Sequence, residues 1–143
     1  MASLTSSLPP ATTEIRQWVL GTATELRVLR SSLQQTLVNE TFSPNAELGD
    51  VPDKMIIVAT ELATNALRHS LPPTIVRLGR AEVVFVLDVA DHDPLVIPEF
   101  AEARPPGAGG LGLQLARKLA LDIGWYVEGK TKHVWAQFEA PAA

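Results

Sequence analysis

The residues able to do chemistry begin with a carboxylate and an amide four positions apart. Glu61 and Asn65 lie within the stretch Met55 to Ser70. On a helix that spacing puts them on one face, one turn apart, and Arg68 or His69 extends the face by a further turn. A carboxylate can draw a proton from a hydroxyl, and an amide oxygen suits a hard cation such as Mg²⁺. A second candidate is Gly107-Ala108-Gly109-Gly110-Leu111-Gly112-Leu113. Glycines that open a helix let the backbone approach a ligand and leave free N–H groups at the positive end of the helix dipole. The run is thus a candidate phosphate cradle, although alone it is a weak signal that more often marks a flexible helix start. It is no P-loop, because no Gly-Lys-Ser/Thr follows, and no βαβ unit surrounds it. A third candidate is Asp91, at the end of an apolar strand run, where a carboxylate can accept from an exocyclic amine. Each has a plain alternative. Asp91 can open the turn Asp91-His92-Asp93-Pro94. The Glu61 face can be solvated, with Arg68 pairing to Glu61 or Thr64 bonding backwards.

These residues need elements to hold them. Met55, Ala59, Leu62 and Ala66 line one side of the Met55–Ser70 stretch at helical spacing. Pro52 and Asp53 suit the first turn of that helix, and Pro72 and Pro73 stop it. Upstream, residues 1–13 are rich in Ser, Thr and Pro and read as a disordered tail. Glu14 to Leu20 reads as a strand. Thr22 or Thr24 can cap a helix striped by Leu26, Leu29, Leu33 and Leu37. Residues 39–52 carry loop chemistry.

Downstream, Thr74 to Leu78 and Val83 to Asp91 read as an antiparallel hairpin, with Gly79-Arg80-Ala81-Glu82 as its loop. Asp88 shares a strand face with Val84 and Val86. If helices cover the other face, these valines need their own cover, which a partner or second subunit would supply. Residues 92–108 are irregular, a length that is usually functional in a compact domain. The next helix places Leu115, Leu119 and Ile123 inward. Trp125 to Glu128 and Lys132 to Glu139 read as two final strands, turning at Gly129-Lys130-Thr131.

Composition narrows the class. The 143 residues are 46% hydrophobic and 20% charged, as in a single globular domain. The net charge of −4, from 12 basic and 16 acidic residues, argues against a nucleic-acid binder. With no cysteine, disulfides and thiolate chemistry are excluded, and a cytoplasmic location fits. No apolar run reaches the length of a membrane span, and the N-terminus lacks the basic and apolar regions of a secretory signal. His69, His92 and His133 lack metal-ligand spacing and suit surface or loop roles. Trp18, Trp125 and Trp135 suit core or interface packing.

The order of the motifs resembles the Bergerat-fold (histidine-kinase-like) ATPase superfamily. Glu61-Leu62-Ala63-Thr64-Asn65-Ala66-Leu67-Arg68-His69-Ser70 looks like its N-box. Asp91-His92-Asp93-Pro94 looks like a reduced first glycine box, and Gly107 to Leu113 like the second. Lys132-His133-Val134-Trp135-Ala136-Gln137-Phe138 resembles the last strand of the anti-sigma factor serine kinase branch, in its stand-alone actinobacterial form. The likeness spans residues 14–139, and a single domain over 14–140 is expected.

The resemblance implies a two-layer α/β (α+β) sandwich: a mixed, mostly antiparallel sheet with about three helices on one face. It implies an ATP-binding, Mg²⁺-dependent serine/threonine protein kinase. Glu61 would be the general base and Asn65 the Mg²⁺ ligand. Asp91 would read the adenine amine. Gly107, Gly109, Gly110, Leu111, Gly112 and Leu113 would hold the phosphates, residues 94–109 would form a lid, and Arg68 would add positive charge. The partners implied are a sigma factor and an anti-anti-sigma (STAS-type) protein, in a homodimer. Asp93 and Leu95 stand where the first glycine box usually has glycines. That departure suits an alternative: a non-catalytic Bergerat-fold module that sequesters a regulator. A detached sensor histidine-kinase domain is a third reading.

Overall fold

The computed structural model describes residues 6–39, 51–69, 73–92 and 116–140. Five strands form one sheet: β1 (Thr13–Leu20), β2 (Thr74–Ala81), β3 (Val84–Asp91), β4 (Asp122–Glu128) and β5 (Thr131–Glu139). Their order across the sheet is β1-β2-β3-β5-β4, and all four pairings are antiparallel. Among the described residues the expected mixed character shrinks to one isolated parallel bridge, between Ser6 and Trp125. Helices α1 (Leu26–Asn39) and α2 (Val51–His69) cover one face of the sheet, and residues 116–119 add a helical turn on that side. The two-layer α+β sandwich expected from the sequence is the fold observed.

Alternation builds the covered face. Phe85, Leu87 and Val89 of β3 point to the helices with Val76 and Leu78 of β2 and Ala136 and Phe138 of β5. The helices answer with Leu29, Leu33 and Leu37 from α1 and Met55, Val58, Ala59, Leu62, Ala63 and Ala66 from α2. These are the predicted stripes, broadened as a core-facing helix requires. Glu25 fixes the approach to α1: its carboxylate accepts from the N–H groups of Gly21 and Thr22 at 2.8 and 3.1 Å. Asp53 stands in the first turn of α2, where the dipole favours negative charge. The indole of Trp18 is buried and donates to Ser32 Oγ at 2.9 Å, tying β1 to α1.

Three local expectations change. Gly79, Arg80 and Ala81 belong to β2, and the ladder runs on to Ala81 opposite Val84. The turn is Glu82-Val83, with Glu82 at φ 45°. Gly79 lies within a strand because a Cβ there would collide with Thr12. Ile123 lies on β4 opposite Ala136, not on the preceding helix, yet still packs on the core. Thr131 opens β5 opposite Glu128, so the last hairpin turns on Gly129-Lys130 alone, with Gly129 at φ 62°.

The other face of the sheet is crossed by residues 6–12, which composition assigns to the tail. Ser7 donates its N–H to the Trp125 carbonyl at 2.8 Å, and the Trp135 indole donates to the Ser7 carbonyl at 2.8 Å. Pro9 and Thr12 flank Val86, which is only 4% exposed. The cover expected for Val86 from a partner is therefore supplied by this chain.

Candidate functional site

α2 places Glu61 and Asn65 beside its buried stripe. Both are half-buried, between the enclosed Leu62, Ala63 and Ala66 and the exposed Arg68. Among the described residues no ion pair joins Glu61 to Arg68. The plain reading of this face holds in one detail. Thr64 Oγ1 bonds back to the Thr60 carbonyl at 2.6 Å, and Thr60 to that of Ile56 at 2.7 Å. The paired back-bonds satisfy both hydroxyls on the helix itself.

Asp91 closes β3 on the helix-covered face, and only 4% of it is exposed. Directly opposite on β5 stands Lys132, 7% exposed. The Lys132 ammonium and an Asp91 carboxylate oxygen are 3.5 Å apart. Ile75 pairs with Ala90, so Thr74 occupies the next rung beside Asp91. Its hydroxyl is wholly enclosed and has no hydrogen-bond partner among the described residues. Thr74, Asp91 and Lys132 thus form one polar row across three strands, at the edge of an otherwise apolar core. α2 packs on these same three strands. His92 follows, exposed, with its Nδ1 3.1 Å from the Pro73 carbonyl.

Sequence reasoning missed Lys132 and Thr74. A signal for Lys132 was present: Lys132, Val134, Ala136 and Phe138 alternate onto one face, which sets the lysine on the apolar side. The glycine-rich run, with Gly107, Gly109, Gly110, Leu111, Gly112 and Leu113, lies outside the described residues, as do Asp93, Leu95 and Leu115. The structure therefore joins Asp91 to Lys132 and sets Glu61 one turn from Asn65.

The opposite face holds a second polar cluster. Asp88 accepts from the Tyr126 hydroxyl at 3.0 Å, and His133 Nδ1 lies 2.7 Å from its other oxygen. The two rings stack, with centroids 4.4 Å apart. His133 is 8% exposed, which corrects the expected surface role. The alternation of β5 turns it to the sheet face beneath residues 6–12. Burial, then the Asp88 carboxylate, pushes the Tyr126 phenol well above its ordinary range.

The residues at hand fit an adenine nucleotide at its base end. A buried carboxylate, an ammonium and an unsatisfied hydroxyl adjoin the helix that carries Glu61 and Asn65. No group of three His, Asp or Glu side chains able to hold a metal ion occurs among the described residues. A cation on Asn65 would therefore take most of its shell from phosphate oxygens and water, as Mg²⁺ commonly does. No described helix is long and apolar enough to cross a membrane.

No family model matches the sequence, and no curated protein does. The fold does match solved structures. One is the crystal structure of the RsbU and RsbW domains of Rv1364c from Mycobacterium tuberculosis, with a TM-score of 0.58 and 13% identity over 90% of this chain. The chain spans 33% of the length of that one. At this identity the likeness establishes a shared fold alone, an α+β sandwich.

Proposed function

We propose that the chain is an ATP-binding anti-sigma regulatory factor with serine/threonine kinase activity toward an anti-anti-sigma (STAS-type) protein. The observation that carries the reading is the buried Asp91 row beneath the helix that holds Glu61 and Asn65. The RsbW-like fold supports the partner class. Asp91 would accept from the exocyclic amine of adenine. Asn65 would offer its side-chain oxygen to Mg²⁺, and the exposed Arg68 would add charge toward the phosphates. Gly107, Gly109, Gly110, Leu111, Gly112 and Leu113 would donate backbone N–H groups to those phosphates. Bound there, the nucleotide would supply the phosphoryl group and the cation would offset its charge. Glu61, half-buried on α2, would take the proton from the substrate hydroxyl. The partners would be a sigma factor in one state and its STAS-type antagonist in another, with the kinase a cytoplasmic homodimer.

Asp93 and Leu95 favour a second reading, a non-catalytic module that sequesters a regulator by the same fold. Titration calorimetry of ATP, with and without Mg²⁺, separates the two. The kinase reading expects binding at millimolar nucleotide or below, with the Mg²⁺-dependent part lost in Asn65→Ala. Absence of binding at millimolar ATP would end it. Glu61→Ala should keep nucleotide affinity and lower phosphoryl transfer to the antagonist by about 10²–10⁴-fold, the usual weight of a general base.

A further inference from the structure

We propose that the sheet face opposite the helices is a docking site for a proline-rich segment of a partner protein, and that residues 6–12 occupy it in cis until such a segment displaces them. The site lies across the sheet from Glu61 and Asn65 and is independent of the nucleotide reading. Three observations lead to it. Ser7 is held through both of its backbone groups: its N–H donates to the Trp125 carbonyl at 2.8 Å, and its carbonyl accepts from the Trp135 indole at 2.8 Å. Side chains of the strap meet the sheet every third residue. Ser6 bridges to Trp125, and Pro9 and Thr12 line a cavity of about 220 Å³ together with Val86, Asp88 and Tyr126. An interval of three is the period of polyproline II, which Pro9-Pro10 impose by fixing φ and by turning the preceding residue away from helix. The reach agrees. Ser7 lies over Gly124 of β4 and Thr12 over Gly79 of β2, three strands away. Five residues of polyproline II span about 15 Å, and three strand spacings about 14 Å.

A segment that belonged to the core would not look like this. Of residues 6–12 only Pro9 is half-buried, Leu8 is 75% exposed, and none joins the hydrophobic cluster. Residues 8–11 form no hydrogen bond with any described residue. A segment so lightly held opens locally at low free energy. What does hold it is the chemistry that recognises proline-rich peptides: aromatic rings, an indole N–H aimed at a peptide carbonyl, and a preformed extended backbone. The strap also shows what the partner segment must carry. The residue at the Ser7 position needs an N–H, so it is not proline, and it must be small, because its side chain lies against Gly124. The Leu8 position faces solvent and is free. Two prolines follow, and a small residue at the Thr12 position passes over Gly79. The cavity beside Pro9 is left unfilled by the strap. A partner segment with a larger group there gains contacts that the strap does not make.

The test uses the full chain and a fluorescein-labelled peptide of residues 6–13, read by fluorescence anisotropy. Ser7→Pro removes the N–H that donates to Trp125 and frees the face. It should bind the peptide at least about tenfold more tightly than wild type, whose tethered strap competes at high effective concentration. Ser7→Leu, too large for the Gly124 contact, should do the same and serves if the proline variant folds poorly. In NMR the Trp135 indole N–H should lose exchange protection in either variant and regain it with peptide. A peptide with alanine in place of both prolines should bind about four- to thirtyfold more weakly, because each proline removes freedom that docking would otherwise cost. A peptide that keeps only the Ser7, Pro9, Pro10 and Thr12 positions, with alanine elsewhere, should bind within about threefold of the original, as the light hold on the other positions implies. Adding Gly124→Ala to Ser7→Pro should abolish binding. No binding by the freed variants at millimolar peptide overturns the proposal. So does equal binding by wild type and Ser7→Pro, indifference to the prolines, or binding that survives Gly124→Ala. Dimerisation of wild type that the peptide dissolves would give the face to a second copy and overturn the partner assignment.

Discussion

At the scale of single residues, the two polar clusters meet the cost of burial in opposite ways. On the sheet face beneath residues 6–12 Asp88 is well supplied, with a phenol and an imidazole on its two oxygens. On the helix side Thr74 has no hydrogen-bond partner among the described residues. Replacing Thr74 by valine removes the unsatisfied hydroxyl at nearly constant volume. It should stabilise the unliganded chain by about 1–3 kcal/mol in denaturant unfolding; a lower midpoint would mean the hydroxyl is bonded in solution. Tyr126 gives a pH prediction. Its phenol is raised in the folded state above the ordinary value of 10.0. Above about pH 10 the unfolded chain has therefore lost a proton that the folded chain retains, so stability falls as pH rises there. Tyr126→Phe should show a shallower alkaline decline of its thermal midpoint. Parallel curves for the two proteins would contradict the raised phenol, which burial and then Asp88 produce.

At the scale of elements, residues 6–12 and the sheet face beneath them fit one another. At Gly79 and Gly124 an added Cβ would collide with the strap, at Thr12 and Ser7. A Cβ on Gly124 would also stand 2.6 Å from the Trp135 ring, which even a rotating side chain could not accept. Gly124→Ala should therefore lift the strap and break the bonds that join Ser7 to Trp125 and Trp135. Hydrogen exchange followed by NMR would detect this as lost protection at the Ser7 amide and the Trp135 indole N–H, with the β2–β3 ladder unaffected. Protection retained at both sites would show that the face tolerates the methyl. The strap also explains why Val86 needs no external partner: an edge-to-centre crossing of this chain already shields it.

At the scale of the whole molecule, one core joins both helices to all five strands, and Leu33 is fully enclosed within it. Leu33→Ala should cost about 2–5 kcal/mol through lost burial and the cavity left behind. It should lower the thermal midpoint while keeping a single cooperative transition. Two separated transitions would mean that α1 is not part of the same cooperative unit.

What the sequence determined by itself is whatever depends on period and local chemistry. The leucine stripe of α1, the Glu61–Asn65 face of α2 and the alternation of β3 down to Asp91 were legible because a helix or strand repeats over a few residues. The prolines and Asp53 marked the ends of α2 for the same reason. Only the tertiary structure decided what depends on register between distant strands. Gly79 reads as a turn until Thr12 lies above it. Ile123 reads as helical until β4 pairs it with Ala136. His133 reads as a surface residue until Asp88 and Tyr126 enclose it. The partner of Asp91 is of this kind too. Lys132 reaches it because β3 and β5 align at one rung and no other, and a slip of one residue would turn either side chain to the opposite face.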